Sequence, residues 1–357
     1  MSIEVFKNYY KEIKNNLDKT IEDYNDKFIK EDNPIVRENL EFFKNLNSDG
    51  KLVRGTLVNL GYNLLKEDKD YSNNLALAYE VFQTAILVHD DIIDKDEKRR
   101  GKETVHYKNF NKYKEYSSNL DELTHFSNSI AICMGDYGLY SANKIIADSY
   151  KNDSKLGEVL SYFNNTVLNT IKGELLDVIL PFQSKNMTLD DKVLEDSIMN
   201  IYRLKTSHYT IIGPMSVGLI LAGANNNQLQ DIEVFGEKIG IAFQIQDDIL
   251  GIYSDEMGKV IGSDIKEFKQ TILYSHARTT SYKDELLKYY GKEDLTEETI
   301  NKVREILENS GSKEYATNLM NSMYDEALEL LENINWINND KKELLRGFVE
   351  YLRTRNK

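Results

Sequence analysis

Cysteine, proline and long apolar runs are scarce in this chain of 357 residues. The single cysteine, Cys133, excludes an internal disulfide and a metal site built from several thiolates, and it predicts a reducing, cytoplasmic location. Only three prolines occur, which favours long helices because proline breaks helix interiors. The longest apolar stretch, 210–224, is interrupted by glycine and proline and is too short to span a bilayer.

Positive charge is also in deficit. Lysine and arginine together number 45 against 59 acidic residues, which gives a net charge of −14. This balance opposes nonspecific binding to nucleic acid or to an anionic membrane, so we expect neither a nucleic-acid partner nor stable membrane insertion. Phosphate-binding GxxxxGK[ST] loops, GxSxG nucleophile motifs and HExxH zinc motifs are absent as well.

The apolar residues recur with helical periodicity over most of the chain. Residues 75–89 and 232–250 are apolar almost all round, as central helices of a bundle are. We therefore predict a single all-α domain, 1–357, folded as a helical bundle. The helices are expected at 3–29, 34–47, 52–67, 73–95, 125–149, 155–180, 189–208, 210–224, 229–253, 268–288, 296–310, 312–333 and 339–354.

Two acidic clusters lie at the ends of the two most apolar helices, one at 90–94 and one at 247–248. Asp90 and Asp94 are four residues apart and therefore share one helix face. Carboxylates beside an apolar run need a neutralising cation. Oxygen ligands favour a hard ion such as Mg²⁺, which is commonly held by one or two carboxylates together with substrate phosphates.

Basic residues accompany both clusters. Arg99 and Arg100 follow the first, and guanidinium groups bind diphosphates through paired hydrogen bonds. Upstream, Lys51 and Arg54 are expected on one face at the start of a helix, where anions bind. Lysines also follow the second cluster, at 259, 266 and 269. The alternative for each group is a solvated, mixed-charge segment.

Taken together, these segments resemble the trans-isoprenyl diphosphate synthase (polyprenyl synthetase) family, which includes the farnesyl and geranylgeranyl diphosphate synthases. The matching segments fall in the family's order across about 220 residues: GKLVR (50–54), HDDIIDKDEKRRG (89–101), GD (135–136), KT (205–206), FQIQDD (243–248) and GKVIGSDIKEFK (258–269). The resemblance implies an isoprenoid synthase-type bundle around a deep central cavity and a homodimer. It also implies condensation of isopentenyl diphosphate with an allylic diphosphate (dimethylallyl, geranyl or farnesyl).

The resemblance also implies a role for each matching residue. Asp90, Asp94 and Asp247 would hold Mg²⁺. Arg99, Lys205 and Lys259 would bind the allylic diphosphate, and Lys51, Arg54, Gln83 and Arg100 would bind isopentenyl diphosphate. Lys269 would bind a substrate phosphate. Thr206, Gln244 and the carbonyl of Lys205 would stabilise the carbocation. The alternative for Gln83 is a surface-facing side chain.

Product length is expected to depend on the helix that carries Asp90. In the family, bulky residues four or five positions upstream of the first aspartate limit the product, and here these positions hold Ile86 and Ala85. Phe82 and Tyr79 lie on the next turns, and each turn advances about 5.4 Å. We predict a product of about C20, with C25 or longer left open. The alternative is that Phe82 and Tyr79 only pack against a neighbouring helix.

Several positions depart from the family pattern. Gly251 stands where the second cluster would have a further carboxylate, Gly55 where proline usually follows the arginine, and Glu174 where glutamine is common. The role of Asp248 stays open, and Arg353 and Arg355 match either a closing tail or a frayed end. His89 is expected to be a packed core histidine.

Two rival functions share part of this pattern. A terpene cyclase would also ionise an allylic diphosphate, but it would not need the second cation set of Lys51, Arg54 and Arg100. A noncatalytic partner subunit tends to lose an aspartate or a phosphate-binding cation, and this chain keeps both. A plain helical scaffold would not place acids and arginines together on buried helices.

Overall fold

A computed structural model describes residues 2–28, 33–48, 50–68, 70–187, 189–254, 262–292 and 295–355. Helices account for most of these residues, and the strands β1 (Lys98–Arg99) and β2 (Lys102–Glu103) form one short hairpin. The helices are α1 (Ser2–Phe28), α2 (Pro34–Asn47), α3 (Val53–Asn63), α4 (Asn73–Ile93), α5 (Val105–Tyr113), α6 (Leu120–Ser149), α7 (Leu156–Asn186), α8 (Asp191–Ile201), a π-helix (Tyr202–Ile212), α9 (Gly213–Leu221), α10 (Asn226–Tyr253), α11 (Ser263–Lys266), α12 (Ile272–Arg278), α13 (Lys283–Leu286), α14 (Glu297–Asn309), α15 (Ser312–Asn333) and α16 (Asn339–Arg353).

The predicted all-α class is confirmed, with differences in detail. Helix α5 was not predicted, and α7 continues through Pro181 instead of ending before it. The single helix predicted at 268–288 is divided into α12 and α13. Phe268 has a left-handed φ of 57°, and the Thr271 side chain then caps a new helix by accepting a hydrogen bond from the Tyr274 N–H. A helix cannot run through the left-handed residue, so α12 begins later than predicted, at Ile272. The division between α12 and α13 lies further on, at 279–282.

The chain forms two compact units. Of the described residues, the C-terminal unit takes those within Met1–Asn8, Phe163–Gly213 and Asn226–Lys357. The N-terminal unit takes those within Tyr9–Tyr162 and Pro214–Asn225. The expectation of one domain over 1–357 stays a prediction. None of the described helices combines the length and apolar character needed to cross a membrane.

In the N-terminal unit, α4 packs along α6, and α2, α3 and α5 pack around this pair. Glycines on α6 allow the close approach. A Cβ atom on Gly135 would lie 2.2 Å from Nε2 of His89, and one on Gly138 would lie 2.5 Å from Cζ of Phe43. The GD segment at 135–136 therefore supplies the space in which the end of α4 packs.

In the C-terminal unit, α10 packs against both the π-helix and α15. Gly240 on α10 lies against the π-helix, since a Cβ there would be 2.4 Å from Cα of Ser207. Gly173 on α7 has the same role, because its Cβ would lie 2.5 Å from the backbone nitrogen of Lys205. Two close backbone approaches thus position the π-helix, and π-helical turns are frequent at functional sites.

Candidate active site

The first acidic cluster lies at the C-terminal end of α4. Asp90 and Asp94 occupy successive turns, and the Asp94 N–H donates to the Asp90 carbonyl over 2.8 Å, so helical geometry continues through both residues. Both side chains are partly exposed, whereas Asp91 is buried. The predicted sharing of one helix face by Asp90 and Asp94 therefore agrees with the backbone.

A β-hairpin folds Arg99 back onto this cluster. Its turn residues, Arg100 and Gly101, have φ values of 54° and 78°. Two consecutive positive φ values are typical of a type I′ turn, the form that matches the twist of paired strands. Lys98 pairs with Glu103 and Arg99 with Lys102 across the hairpin. The sequence pattern did not predict this hairpin.

Arg99 joins the carboxylates of the first cluster. Its Nη2 lies 2.8 Å from Oδ2 of Asp90 and 3.5 Å from Oδ2 of Asp96, and its Nε donates to Asp91. Burial raises the pKa of Asp91 to about 7, although Arg99 opposes that rise. A small adjoining cleft is lined by Thr84, Leu87, Asp91, Arg99 and Arg100, among others.

The prediction that Lys51 and Arg54 share one helix face is wrong. Helix α3 begins at Val53, and Lys51 precedes it because Leu52 adopts a left-handed conformation with φ 52°. Arg54 lies in the first turn of α3, Lys51 is exposed, and Gln83 is half-buried on α4. The α3 N-terminus itself is present as expected.

Glu80 is a residue that sequence reasoning missed. It is buried on α4, and its Oε1 accepts a hydrogen bond from the Gly55 N–H over 2.7 Å. Burial raises the pKa of Glu80, while this N–H and the nearby Arg54 and Arg100 oppose the rise. Gly55 thus supplies an N–H that proline lacks, which accounts for one departure from the family pattern. A charged residue inside the apolar run 75–89 was the available signal.

The residues predicted to set product length lie together on α4. Tyr79, Phe82 and Ala85 are buried and Ile86 is half-buried, and the Tyr79 and Phe82 rings meet edge to face at 6.2 Å. Phe43 from α2 approaches the same place, because a Cβ on Gly138 would contact both Phe43 and the Cβ of Ala85. Phe43 therefore joins this set as a bulky neighbour that spacing along α4 did not indicate.

The second acidic cluster lies near the end of α10. Asp247 forms an ion pair with Arg355, whose guanidinium also lies 3.8 Å from the centre of the Phe243 ring. Arg353, the last residue of α16, forms an ion pair with Asp325 of α15 over 2.7 Å. Neither arginine has the solvated environment of a frayed end. Burial lowers the pKa of Arg355 to about 10.

Asp248, unlike Asp247, points into the interior of the C-terminal unit. It accepts hydrogen bonds from the Tyr202 hydroxyl and from Nε2 of Gln244, the latter over 2.9 Å. Thr206 in turn donates its hydroxyl proton to Oε1 of Gln244. Burial, with Asp264 nearby, raises the pKa of Asp248 to about 7, while its two hydrogen-bond donors and Lys269 oppose the rise. Thr206 and Gln244, predicted from the resemblance, are therefore joined directly.

Lys205 lies on the π-helix between two carboxylates. Its Nζ is 2.7 Å from Oε2 of Glu174 and 2.7 Å from Oδ2 of Asp177. Glu174, a departure from the family's glutamine, therefore adds a second negative charge to this lysine. Lys269 lies 3.3 Å from Glu267. The predicted Lys259 lies outside the described residues.

Asp264 lies beside Gly251, the position at which the family pattern has a further carboxylate. A Cβ on Gly251 would lie 3.0 Å from Oδ2 of Asp264. His89, expected in the core, is partly exposed. Its Nε2 lies 3.5 Å from Asp136 and 3.2 Å from the Ile132 carbonyl.

The donor chemistry fits Mg²⁺. The described residues contain no group of three or more acidic, histidine or cysteine side chains arranged as a complete metal cage. Instead, partly exposed carboxylates are offered by Asp90, Asp94 and Asp247. Magnesium is usually bound by one or two carboxylates, with water and substrate phosphates completing the shell.

The chain is similar to known isoprenyl diphosphate synthases. A geranylgeranyl diphosphate synthase of Sulfolobus acidocaldarius is 28% identical over 361 residues, 99% of each chain. A short chain isoprenyl diphosphate synthase of Methanocaldococcus jannaschii is 30% identical, with 73% of each chain covered. The geranylgeranyl pyrophosphate synthase of Corynebacterium glutamicum, solved with isoprenyl diphosphate and magnesium, superposes with a TM-score of 0.85 at 23% identity, covering 98% of this chain and 99% of that one. At that identity the likeness shows the fold.

The match to the family itself is broader than any one motif. Residues 37–307 match the polyprenyl synthetase family, a span that includes both acidic clusters, the hairpin arginines and the π-helix. The chain therefore belongs to the polyprenyl synthetase family.

Proposed function

We propose that this chain is a trans-polyprenyl diphosphate synthase that condenses isopentenyl diphosphate with a dimethylallyl, geranyl or farnesyl diphosphate. The product is an all-trans polyprenyl diphosphate of about C20. The observation that carries the proposal is the contact of Arg99 with both Asp90 and Asp91. This contact sets a diphosphate-binding guanidinium beside carboxylates that suit Mg²⁺. The names of the relatives agree with it.

Each predicted residue has a place in this proposal. Asp90, Asp94 and Asp247 would hold Mg²⁺, which would supply positive charge to stabilise the departing diphosphate. Arg99, Lys205, Lys259 and Lys269 bind the allylic diphosphate. Isopentenyl diphosphate is bound by Lys51, Arg54, Gln83 and Arg100.

The reaction then needs little acid–base chemistry from the protein. Departure of diphosphate leaves an allylic cation, the double bond of isopentenyl diphosphate attacks it, and a proton is lost to the released diphosphate. Thr206, Gln244 and the carbonyl of Lys205 provide lone pairs that stabilise the cation. The apolar side chains of α4 exclude water, which would otherwise trap the cation as an alcohol.

Product length is proposed to be limited by Phe82, with Tyr79 one turn further along α4. Both side chains are completely buried. Phe82→Ala is expected to lengthen the main product by at least one five-carbon unit, because removing the ring opens space at that turn. The control is Phe163→Ala, an equally buried phenylalanine of the C-terminal unit, with an unchanged product. Identical product spectra for Phe82→Ala and wild type would refute this assignment.

A cytoplasmic homodimer completes the proposal. The single cysteine suits a reducing compartment, and an exposed apolar stripe on α7 suits a subunit contact. Its members recur at helical spacing: Leu168, Ile171, Leu175, Val178 and Phe182. Val178 and Val234 are 48% and 44% exposed, so Val178→Asp is expected to give monomers in light scattering while Val234→Asp does not.

The decisive experiment incubates the protein with Mg²⁺, labelled isopentenyl diphosphate and each of the three allylic primers, and separates products by length. Metal-dependent elongation supports the synthase, and the same incubation with EDTA is the control. Diphosphate release without isopentenyl uptake would indicate a cyclase instead. Neither activity in a folded protein would indicate a noncatalytic subunit.

A further inference from the structure

A continuous chain of hydrogen bonds runs from Tyr202 to Thr206 in the C-terminal unit. The Ile272 N–H donates to the Tyr202 hydroxyl oxygen over 2.9 Å, and that hydroxyl donates to Asp248. The other oxygen of Asp248 accepts from Nε2 of Gln244, and Oε1 of Gln244 accepts from Thr206. Tyr202 and Asp248 are only 3% and 5% exposed, so water does not compete for these bonds.

The hydrogen bonds from Tyr202 to Thr206 all have defined donors and acceptors. Both oxygens of Asp248 accept hydrogen bonds, one from Tyr202 and one from Gln244, so Gln244 turns its NH₂ group toward Asp248 and its carbonyl oxygen toward Thr206. The Thr206 proton is then committed to Gln244, which leaves the lone pairs of the Thr206 oxygen for other contacts. The Tyr202 hydroxyl is fixed in the same way, because it accepts from Ile272 and can donate only elsewhere.

We propose that Tyr202 is a positioning residue that acts through Asp248 and Gln244 to keep the lone pairs of Thr206 directed at the allylic cation. This rests on the proposed function, in which Thr206 and Gln244 stabilise that cation. It assigns Asp248 the role of orienting an amide, in contrast to the metal-binding role of Asp247. Tyr202 is the first residue of the π-helix that also carries Thr206, so the hydrogen-bond series begins and ends on the same helix.

Tyr202→Phe tests this role because it removes one oxygen atom and keeps the ring. Asp248 then has one donor fewer, and Gln244 can turn its amide. We expect kcat to fall about tenfold, with KM for both substrates within about twofold of wild type. The misdirected site is also expected to release a larger fraction of prenyl alcohol, since a poorly stabilised cation is captured by water.

Tyr274→Phe is the matched control. Tyr274 is 2% exposed in the C-terminal unit, and its ring packs 4.9 Å from that of Tyr290. A merely structural tyrosine would lower the melting temperature and leave kcat and the alcohol fraction unchanged, as we expect for Tyr274→Phe. Equal kcat values and alcohol fractions for the two variants would overturn the positioning role.

A double-mutant cycle identifies the route through Thr206. If Tyr202 acts through Thr206, Tyr202→Phe should lower kcat little further in a Thr206→Val background, within about twofold. Multiplication of the two single losses would mean that Tyr202 acts by another path, and the proposal would be wrong. Wild-type elongation is measured first. Its absence with every primer would refute the proposed function and this role together, whereas elongation with equal Tyr variants refutes only the role.

Discussion

The two acidic clusters use the same Asp-Asp pair in two different environments. In each, the first aspartate is partly exposed and pairs with an arginine: Asp90 with Arg99, Asp247 with Arg355. In each, the second aspartate is buried, with a pKa raised to about 7. In each pair, the outward carboxylate is therefore suited to bind a metal ion, and the inward carboxylate is suited to hold neighbouring side chains in place.

The supporting partners differ between the clusters. Asp91 is paired with the charged Arg99, which also contacts Asp90. Asp248 is bound by two neutral donors, Tyr202 and Gln244. The charged partner of Asp91 is itself proposed to bind substrate, whereas the neutral donors join Asp248 to a network of hydrogen bonds. The second aspartate of the Asp-Asp pair thus contacts a guanidinium in the first cluster and an amide in the second.

The largest expected effect comes from the outward aspartates. Asp90→Asn and Asp247→Asn are each expected to lower kcat by about 100- to 1000-fold, because each removes charge needed at the departing diphosphate. Initial rates over a Mg²⁺ titration measure this effect. A loss below tenfold for either variant would contradict the shared role of the two first aspartates.

A smaller loss is expected when Arg99 becomes lysine. A guanidinium contacts Asp90 and Asp91 at once, whereas an ammonium is a point charge that cannot bridge them in the same way. We expect KM for the allylic diphosphate to rise about tenfold in Arg99→Lys. Lys98→Ala, the exposed neighbour on β1, is the control and should keep the wild-type KM. Equal KM values for both variants would count against the bridging role.

The inward aspartate Asp248 is expected to show itself in the pH dependence of stability. Its folded pKa of about 7 exceeds the ordinary 3.8, so the folded state binds this proton more tightly. The resulting stability is fully present below about pH 4 and is lost as the pH rises through 7. Asp248→Asn does not titrate, so its unfolding free energy relative to wild type should rise over that range. The scale is about 1.4 kcal/mol for each pKa unit, before screening.

Urea unfolding between pH 4.5 and 8 measures this difference. Asp148→Asn, an exposed carboxylate on α6, is the control and should follow the wild-type curve. A constant difference between Asp248→Asn and wild type over the whole range would contradict the raised pKa.

The smallest change in KM is expected when one of the two carboxylates beside Lys205 is neutralised. Glu174 and Asp177 both lie 2.7 Å from its ammonium, so an incoming diphosphate must compete with two carboxylates. Glu174→Gln removes one charge at constant size, and KM for the allylic diphosphate is expected to fall about threefold. Glu158→Gln on the same helix is the control. An unchanged or higher KM would show that Glu174 positions Lys205 instead of competing with the substrate.

Much of the candidate site could be predicted because its signals are local. Asp90 and Asp94 share a face through helical spacing, and Thr206 and Gln244 were both identified from short motifs. Prediction failed where the backbone departs from a regular helix. Leu52 with φ 52° separates Lys51 from α3, and the Arg100–Gly101 turn folds Arg99 back. Such conformations depend on contacts made by residues distant in sequence.

The helical class, the family and the candidate acidic and basic residues can be read from the amino-acid sequence, because periodicity and motif order are properties of the chain alone. Three features required the folded structure: which aspartate of each pair turns inward, the hydrogen bond between Glu80 and the N–H of Gly55, and the contact of Tyr202 with Asp248. The last two contacts join residues 25 and 46 positions apart. Burial and hydrogen-bond partners at such separations arise from packing, which a local sequence pattern does not encode.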